Sequence, residues 1–326
     1  TRTPLRVSLL GGGSDYPAHF MHHGGAVLGM AINKYVYVGV KRMPPGQELR
    51  YRVQYSKVDD CQTIDEIKHP AVRAALRYLN FDEPLEFHIF SDLPGRSGLG
   101  GSSAFAVGCL HALLKFKIKN PEVDLEPMDL GREAIAFEQF VIPEAVGCQD
   151  QLFAALGGIL HITFGSTGSV VHELPKLDPR LAELENSLIL VYSGAMRDAH
   201  VIAAKQIKAA AQNASNLNAL TALAAEGAAL LTSSHSLVQL GELLNTAWYH
   251  KRNLCSDITS PQIDALYSRG MWLGAGGGKL LGAGGGGFML FYVPPEKRAA
   301  FETGIGAPCV GFKAALDGSH IVICES

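Results

Sequence analysis

Pro94-Gly95-Arg96-Ser97-Gly98-Leu99-Gly100-Gly101-Ser102-Ser103-Ala104 lies between two segments of different period. Before it, Leu85 to Phe90 alternates apolar and polar residues, as a strand does, and then meets the breaker cluster Asp92-Leu93-Pro94-Gly95. After it, Phe105, Cys109, Leu110, Leu113 and Leu114 recur at helical spacing, so Ser102 to Lys115 reads as a helix. Glycines lack Cβ atoms and let backbone N–H groups close around phosphate oxygens, and the helix start adds the positive end of its dipole. Ser102 and Ser103 stand at that start, where a hydroxyl either caps the helix or meets Mg²⁺. The same local pattern also fits an ordinary N-cap after a flexible turn.

Two further glycine-rich segments lie towards the two ends of the chain. Gly11-Gly12-Gly13-Ser14-Asp15 follows the strand Leu5 to Leu10, and Gly282-Ala283-Gly284-Gly285-Gly286-Gly287 precedes the strand Phe288 to Val293. The latter fits G-x-G-x-x-G through Gly282, Gly284 and Gly287, but a dinucleotide fingerprint opens a helix, not a strand. It also comes too late in the chain to leave room for a full βαβ unit. The Walker A pattern fails as well, because Gly278-Lys279 is followed by Leu280 rather than Ser or Thr, and position 273 is Leu.

With 326 residues, 47% hydrophobic and 18% charged, the chain is long and apolar enough for one large domain or two ordinary ones. Net charge is −3 with no basic stripe, so no nucleic-acid partner is expected. An anionic substrate must then be held by a few placed groups. The six cysteines form no CxxC or zinc spacing, which fits reduced thiols in a cytoplasmic enzyme. No signal peptide is expected, and no apolar run of about 18 residues suggests a membrane span.

Further strands are expected at Ala26 to Ile32, Tyr35 to Lys41 and Tyr51 to Tyr55. Helices are expected at Met128 to Val141, stopped before Pro143, and at Val146 to Leu156, closed by Gly157-Gly158. The second half is helix-rich: Asp198 to Gln212, Leu217 to Ser233, Ser236 to Asn253, and a last helix after Pro294-Pro295. The segment Lys176 to Asn186, rich in proline and charge, is the expected joint between domains at 1–180 and 181–326.

Two carboxylates sit in unexpectedly apolar surroundings. Asp150 opens the helix that continues Leu152-Phe153-Ala154-Ala155-Leu156, where it is either functional or a partner of the helix dipole. Glu138 follows Ala134-Ile135-Ala136-Phe137, where a buried carboxylate must be paired or bind metal. A surface Glu138 paired with Arg132 or Gln139 is the alternative.

Taken together, the three glycine-rich segments resemble the motifs of the GHMP kinase superfamily, to which galactokinases, homoserine kinases and mevalonate kinases belong. In that family an N-terminal strand carries Arg and a glycine-rich turn ending in Asp. P-x-x-x-G-L-G-S-S-A follows, and G-A-G-G-G-G comes late. Within it, Gly11 to Asp15, Gly147-Cys148-Gln149-Asp150-Gln151, Tyr192-Ser193-Gly194 with Arg197, and Gly277-Gly278-Lys279 leading to Phe288 resemble the D-glycero-α-D-manno-heptose 7-phosphate kinases. Two departures are visible: Gly101 stands where the family usually has Ser, and Ser14 replaces the commoner Thr.

The resemblance implies an α+β fold of two domains, a ribosomal protein S5 domain 2-like N-terminal domain and a ferredoxin-like C-terminal domain, with the active site in the cleft between them. It implies ATP on the loop Pro94 to Ala104, Asp150 as catalytic base with Arg6 beside it, and Mg²⁺ held by Glu138 and by Ser102 or Ser103. Arg6 in an ion pair without a catalytic role is the alternative. Asp15 either meets sugar hydroxyls or forms an Asx turn. Gly12, Gly13, Tyr16, Gly284 and Gly285 join it as substrate-binding candidates, and Arg197 and Lys279 as the cationic clamp on a substrate phosphate. Tyr55-Ser56-Lys57 and His69-Pro70 are candidate walls for adenine.

The implied reaction phosphorylates the C1 hydroxyl of D-glycero-D-manno-heptose 7-phosphate to the 1,7-bisphosphate, in the making of GDP-heptose for a surface polysaccharide. The alternatives are a fucokinase-like sugar 1-kinase acting on an unphosphorylated sugar, and a sugar-binding regulator on a kinase fold. A homodimer is compatible with each.

Overall fold

The protein is described by a computed structural model, in which residues 1–46, 48–118, 123–142, 144–174, 180–195 and 199–323 are placed. Arg197, Pro143, Cys324 and positions 176–179 of the expected joint lie outside the described residues.

The N-terminal half runs β1 (Arg2–Leu10), α1 (Pro17–His23), β2 (Gly25–Arg42), β3 (Tyr51–Gln54), β4 (Val58–Cys61), α2 (Pro70–Tyr78) and β5 (Leu85–Ser91). It continues α3 (Gly101–Lys117), α4 (Pro127–Ala136), α5 (Gln149–Leu156), β6 (Ile159–Gly165) and β7 (Gly168–Glu173). The C-terminal half runs α6 (Arg180–Ser187), β8 (Leu188–Tyr192), α7 (Ala199–Lys208), α8 (Ala214–Thr232), α9 (Val238–Arg252) and α10 (Pro261–Trp272). It closes with β9 (Gly277–Leu280), β10 (Phe288–Tyr292), α11 (Arg298–Gly304) and β11 (Cys309–Val310).

The first sheet has the order β4-β3-β5-β2-β6-β7, with β1 paired to β2. β2 is its spine: β6 pairs with its first part, β5 with its last, and β1 with the stretch between and beyond. The expected strands Ala26 to Ile32 and Tyr35 to Lys41 are therefore one strand. The register shifts between Pro4 and Leu5 of β1, leaving Asn33 and Lys34 opposite the shift. Pro4 has no N–H to offer there, and Asn33 turns its own N–H to Lys313 O at 2.9 Å.

The second sheet is antiparallel with the order β11-β8-β10-β9. Numbered within this half, that is 4-1-3-2, the ferredoxin-like arrangement, with α7 to α10 between its first two strands and α11 between its last two. Helix α8 packs on β2 and α9 on β9, so this pair of helices joins the two sheets. Leu5, Leu99, Leu190, Trp248 and Phe291 belong to one continuous apolar core.

After β11 the chain returns to the first sheet, where Ala314 bridges to Ile32 and His320 to Arg2. The expected helix Met128 to Val141 is α4 followed by a π-helical turn, Phe137–Val141, which carries Glu138. Among the described residues no helix is long and apolar enough to cross a membrane.

Candidate active site

A cleft of about 230 Å³ opens where β1, the loop before α3, the start of α5, α7, α9 and the end of β9 converge. Its floor is the pair Arg6–Asp150. Arg6 Nε donates to Asp150 Oδ1 at 2.7 Å and Nη2 to Oδ2 at 2.6 Å, while Nη1 donates to Gly98 O at 2.7 Å. Such a two-pronged pair fixes the orientation of the carboxylate as well as its charge. Arg6 is buried and the Asp150 side chain is 24% exposed, so the carboxylate faces the cleft.

The glycine loop lies directly over this pair. Gly100 has φ +74°, and a Cβ there would stand 3.1 Å from Arg6 Cγ and 3.3 Å from Asp150 Oδ2. Leu99 is buried, and its carbonyl accepts from Arg6 N at 3.0 Å, which ties the loop to β1. Gly98, Gly100, Gly101, Arg96, Ser97, Ser102 and Ser103 line the cleft. Pro94 and Gly95 are exposed at the loop's outer end, and Ala104 is buried in the first turn of α3.

The two serines part company here: Ser102 is exposed, whereas Ser103 is buried beside Glu138. Glu138 is 2% exposed and accepts from Gln151 Nε2 at 2.5 Å. Burial pushes its carboxyl up to about 8. One buried carboxylate beside a serine hydroxyl fits a hard cation that keeps most of its waters, and such a cation would return Glu138 to its ionised form.

The opposite wall is the turn after β1. Ser14 is buried and committed to the turn: its Oγ donates to carbonyls of Gly11 at 2.8 Å and Ala26 at 2.9 Å. Asp15 accepts from Gly13 N at 3.0 Å and Gln149 N at 3.3 Å, so it joins the turn to the start of α5. Burial first, and Asp150 second, raise its pKa above the ordinary range. Gly12, Gly13, Asp15 and Tyr16 all line the cleft. Burial together with Asp15 and Asp150 holds the Tyr16 phenol protonated.

Lys279 on β9 lines the cleft, 2% exposed, and donates to Leu9 O at 2.9 Å. Burial, then Arg6, push its ammonium down to about 7. Lys251 on α9 is a residue that sequence reasoning missed. It is buried beside Lys279 and donates to Leu280 O at 2.7 Å and Gly282 O at 2.6 Å. Gln206 and His200 of α7 also line the cleft and were not anticipated.

Gly282 and Ala283 reach the cleft. Gly284 and Gly285 do not line it: they pack on Ile258, whose carbonyl accepts from Gly285 N at 2.9 Å. Tyr55 and His69 stand edge to face with ring centroids 4.9 Å apart, and His69 lies 5.0 Å from Phe105 in the first turn of α3. The three rings form one aromatic cluster, and none of them is among the residues that line the cleft.

The GHMP kinases N terminal domain family model matches residues 66–158, and the GHMP kinases C terminal family model matches residues 219–304. Together they span more than half of the chain. The D-glycero-alpha-D-manno-heptose 7-phosphate kinase of Campylobacter jejuni is 27% identical over 312 residues, covering 91% of this chain and 90% of that protein. A bifunctional fucokinase/GDP-fucose pyrophosphorylase of Arabidopsis thaliana is 28% identical over 84% of this chain but only 28% of its own length. The crystal structure of a D-glycero-D-manno-heptose 1-phosphate kinase from Bacteroides thetaiotaomicron superposes with a TM-score of 0.80 at 21% identity, covering 100% of this chain and 99% of that one.

Proposed function

We propose, from the premise that this chain belongs to the GHMP kinases and is an ATP-dependent sugar kinase, that its acceptor is D-glycero-D-manno-heptose 7-phosphate, phosphorylated at the C1 hydroxyl. The observation that carries this reading is the Arg6–Asp150 pair, set between the glycine loop and a turn that presents Asp15. Asp150 accepts the proton of the reacting hydroxyl, whose oxygen bonds to the γ-phosphorus as the bond to the bridging oxygen breaks and ADP leaves. Arg6 holds the Asp150 carboxylate in one orientation and sits beside the charge that develops on the transferring group. Ser103 and Glu138 are the proposed holders of Mg²⁺, which supplies charge neutralisation at the β- and γ-phosphates. Tyr55, His69 and Phe105 are the proposed adenine wall.

An acceptor that carries its own phosphate suits the charge of the cleft. Four basic side chains, Arg6, Arg96, Lys251 and Lys279, line the cleft with two carboxylates, Asp15 and Asp150. An added anion favours the charged forms of the two lysines, whose pKa values burial lowers, and Lys279 has N–H groups left after its bond to Leu9 O. Lys279 and Arg197 remain the proposed clamp. The relation to the C. jejuni kinase supports the heptose reading. The relation to the A. thaliana fucokinase keeps an unphosphorylated sugar as the second one.

A panel of hexose and heptose phosphates with their unphosphorylated counterparts decides between them. ADP release should be fastest with the heptose 7-phosphate, and phosphorus NMR of the product should show a second phosphate at C1. Faster turnover of fucose than of any sugar phosphate would overturn the heptose reading. The proposed place of work is the cytoplasm, in the supply of nucleotide-activated heptose.

A further inference from the structure

Two buried polar atoms at the cleft have no hydrogen-bond partner: Ser8 Oγ and Gln149 Oε1. Such atoms are uncommon in folded proteins, and at a cleft they point to a ligand that completes them. Ser8 is 6% and Gln149 7% exposed. They come together over Gly12, where the position of a missing Cβ lies 3.0 Å from Ser8 Oγ and 3.6 Å from Gln149 Nε2.

Their placement follows from the elements that carry them. Ser8 stands two residues beyond Arg6 on β1 and so on the same face, about 7 Å along the strand. Gln149 precedes Asp150 in the first turn of α5. The Gln149 backbone N–H donates to Asp15 Oδ2 at 3.3 Å, and its side-chain Oε1 is left as an open acceptor. The reacting pair Arg6–Asp150 is thus adjoined by two neutral side chains, a hydroxyl and an amide, with no side chain on Gly12 to fill the space beside them. An amide oxygen repels phosphate and accepts from a hydroxyl.

We propose that Ser8 and Gln149 are specificity-determining residues, which hold a ring hydroxyl of the acceptor next to the one that is phosphorylated. The inference rests on the reading above only in taking the acceptor to be a sugar.

The test uses the full chain with Ser8→Ala or Gln149→Met and follows ADP release with D-glycero-D-manno-heptose 7-phosphate and with analogues that each lack one ring hydroxyl. Either variant should lose about tenfold to a hundredfold in kcat/KM for the intact sugar, with KM for ATP changed by less than about twofold. Discrimination against one of the deoxy analogues should shrink in the variant, because the partner of the missing hydroxyl is gone. Ser8→Ala should not lower Tm, since the hydroxyl it removes has no partner in the free protein. Wild-type kcat/KM and discrimination in both variants would overturn the proposal, as would a rise in KM for ATP in step with that for the sugar. A matching set built on fucose separates the two readings. If only that set is turned over, the heptose acceptor fails, while lost discrimination within it upholds the roles of Ser8 and Gln149 and retained discrimination overturns them.

Discussion

A lysine ammonium that is almost wholly buried is stable only where carbonyls or anions surround it. Lys279 has one such carbonyl, Leu9 O, and its ammonium is pushed down to about 7 by burial and then by Arg6. The sign of the consequence follows. The charged form prevails below about pH 7 and is lost above it, so affinity for an anionic acceptor should weaken as pH rises through that value in the free enzyme. KM for a sugar phosphate should therefore increase above pH 7, and Lys279→Met should raise it about tenfold or more at pH 6 and flatten its pH dependence. KM for an unphosphorylated sugar should respond much less. Steady-state kinetics at pH 6 and pH 8 check this, and equal effects on both sugars would place Lys279 away from the acceptor's phosphate. The clamp role was expected for Lys279 from the resemblance, but its burial and its bond to Leu9 O were not legible in the sequence, where locally it stood out as the cation of a failed Walker motif. Lys251 reads as an ordinary basic residue in the last turn of α9, and nothing local says that it meets the carbonyls of Leu280 and Gly282.

Two glycine loops, nearly two hundred residues apart in sequence, meet backbone to backbone. A Cβ on Gly98 would stand 2.8 Å from Leu281 O, and one on Gly287 would stand 2.3 Å from Ser97 O. Phe288 N donates to Ser97 O at 3.0 Å across the seam. Both glycines also have positive φ, at +79° and +90°. Gly98→Ala and Gly287→Ala should thus each cost about 1–3 kcal/mol and widen the seam between the two glycine loops. Gly95→Ala, with nothing near its missing Cβ, should stay within about 0.5 kcal/mol. Urea unfolding of the three variants measures the contrast, and equal losses would contradict the seam.

The late glycine segment therefore shapes the cleft mainly through Gly282 and Ala283, while its sequence alone suggested direct contact by Gly284 and Gly285. Elements with strong periodicity or a breaker, such as β5, α3 and α9, were readable from sequence. Asn33 and Lys34 disguised β2 as two strands, because a bulge opposite Pro4 leaves them unmatched without ending the strand. Strand β9 was hidden inside a glycine run, where alternation cannot show without side chains. Helices α2 and α10 carried signals that were not used: Pro70 and Pro261 at their first positions, and His69 and Ser260 as caps.

At the scale of the molecule, the last segment of the chain crosses back from the second sheet to the first. His320 N donates to Arg2 O at 3.1 Å, Ala315 N to Ala31 O at 2.9 Å, and Ser319 N to Ala154 O at 2.8 Å near the end of α5. Ser319 Oγ lies 2.8 Å from Thr3 Oγ1 and 3.0 Å from His111 Nδ1, and Phe312 and Ala315 are buried. The segment thus braces both β1, which carries Arg6, and α5, which carries Asp150. Removing residues 311–326 should lower stability by on the order of 3 kcal/mol or more and reduce kcat with it. Urea midpoints and ADP release check this, and a truncated chain with wild-type stability would contradict the bracing role.

The two glycine loops, the turn at Asp15 and the returning segment all converge on one carboxylate. Single-turnover phosphorylation of the heptose 7-phosphate by Asp150→Asn is the most direct measurement of its role. Arg6 keeps partners in Gly98 O and the amide oxygen, so ATP binding should stay near wild type while the rate of transfer falls about a hundredfold to ten-thousandfold. Transfer at a near-normal rate would contradict the assignment of Asp150 as the base.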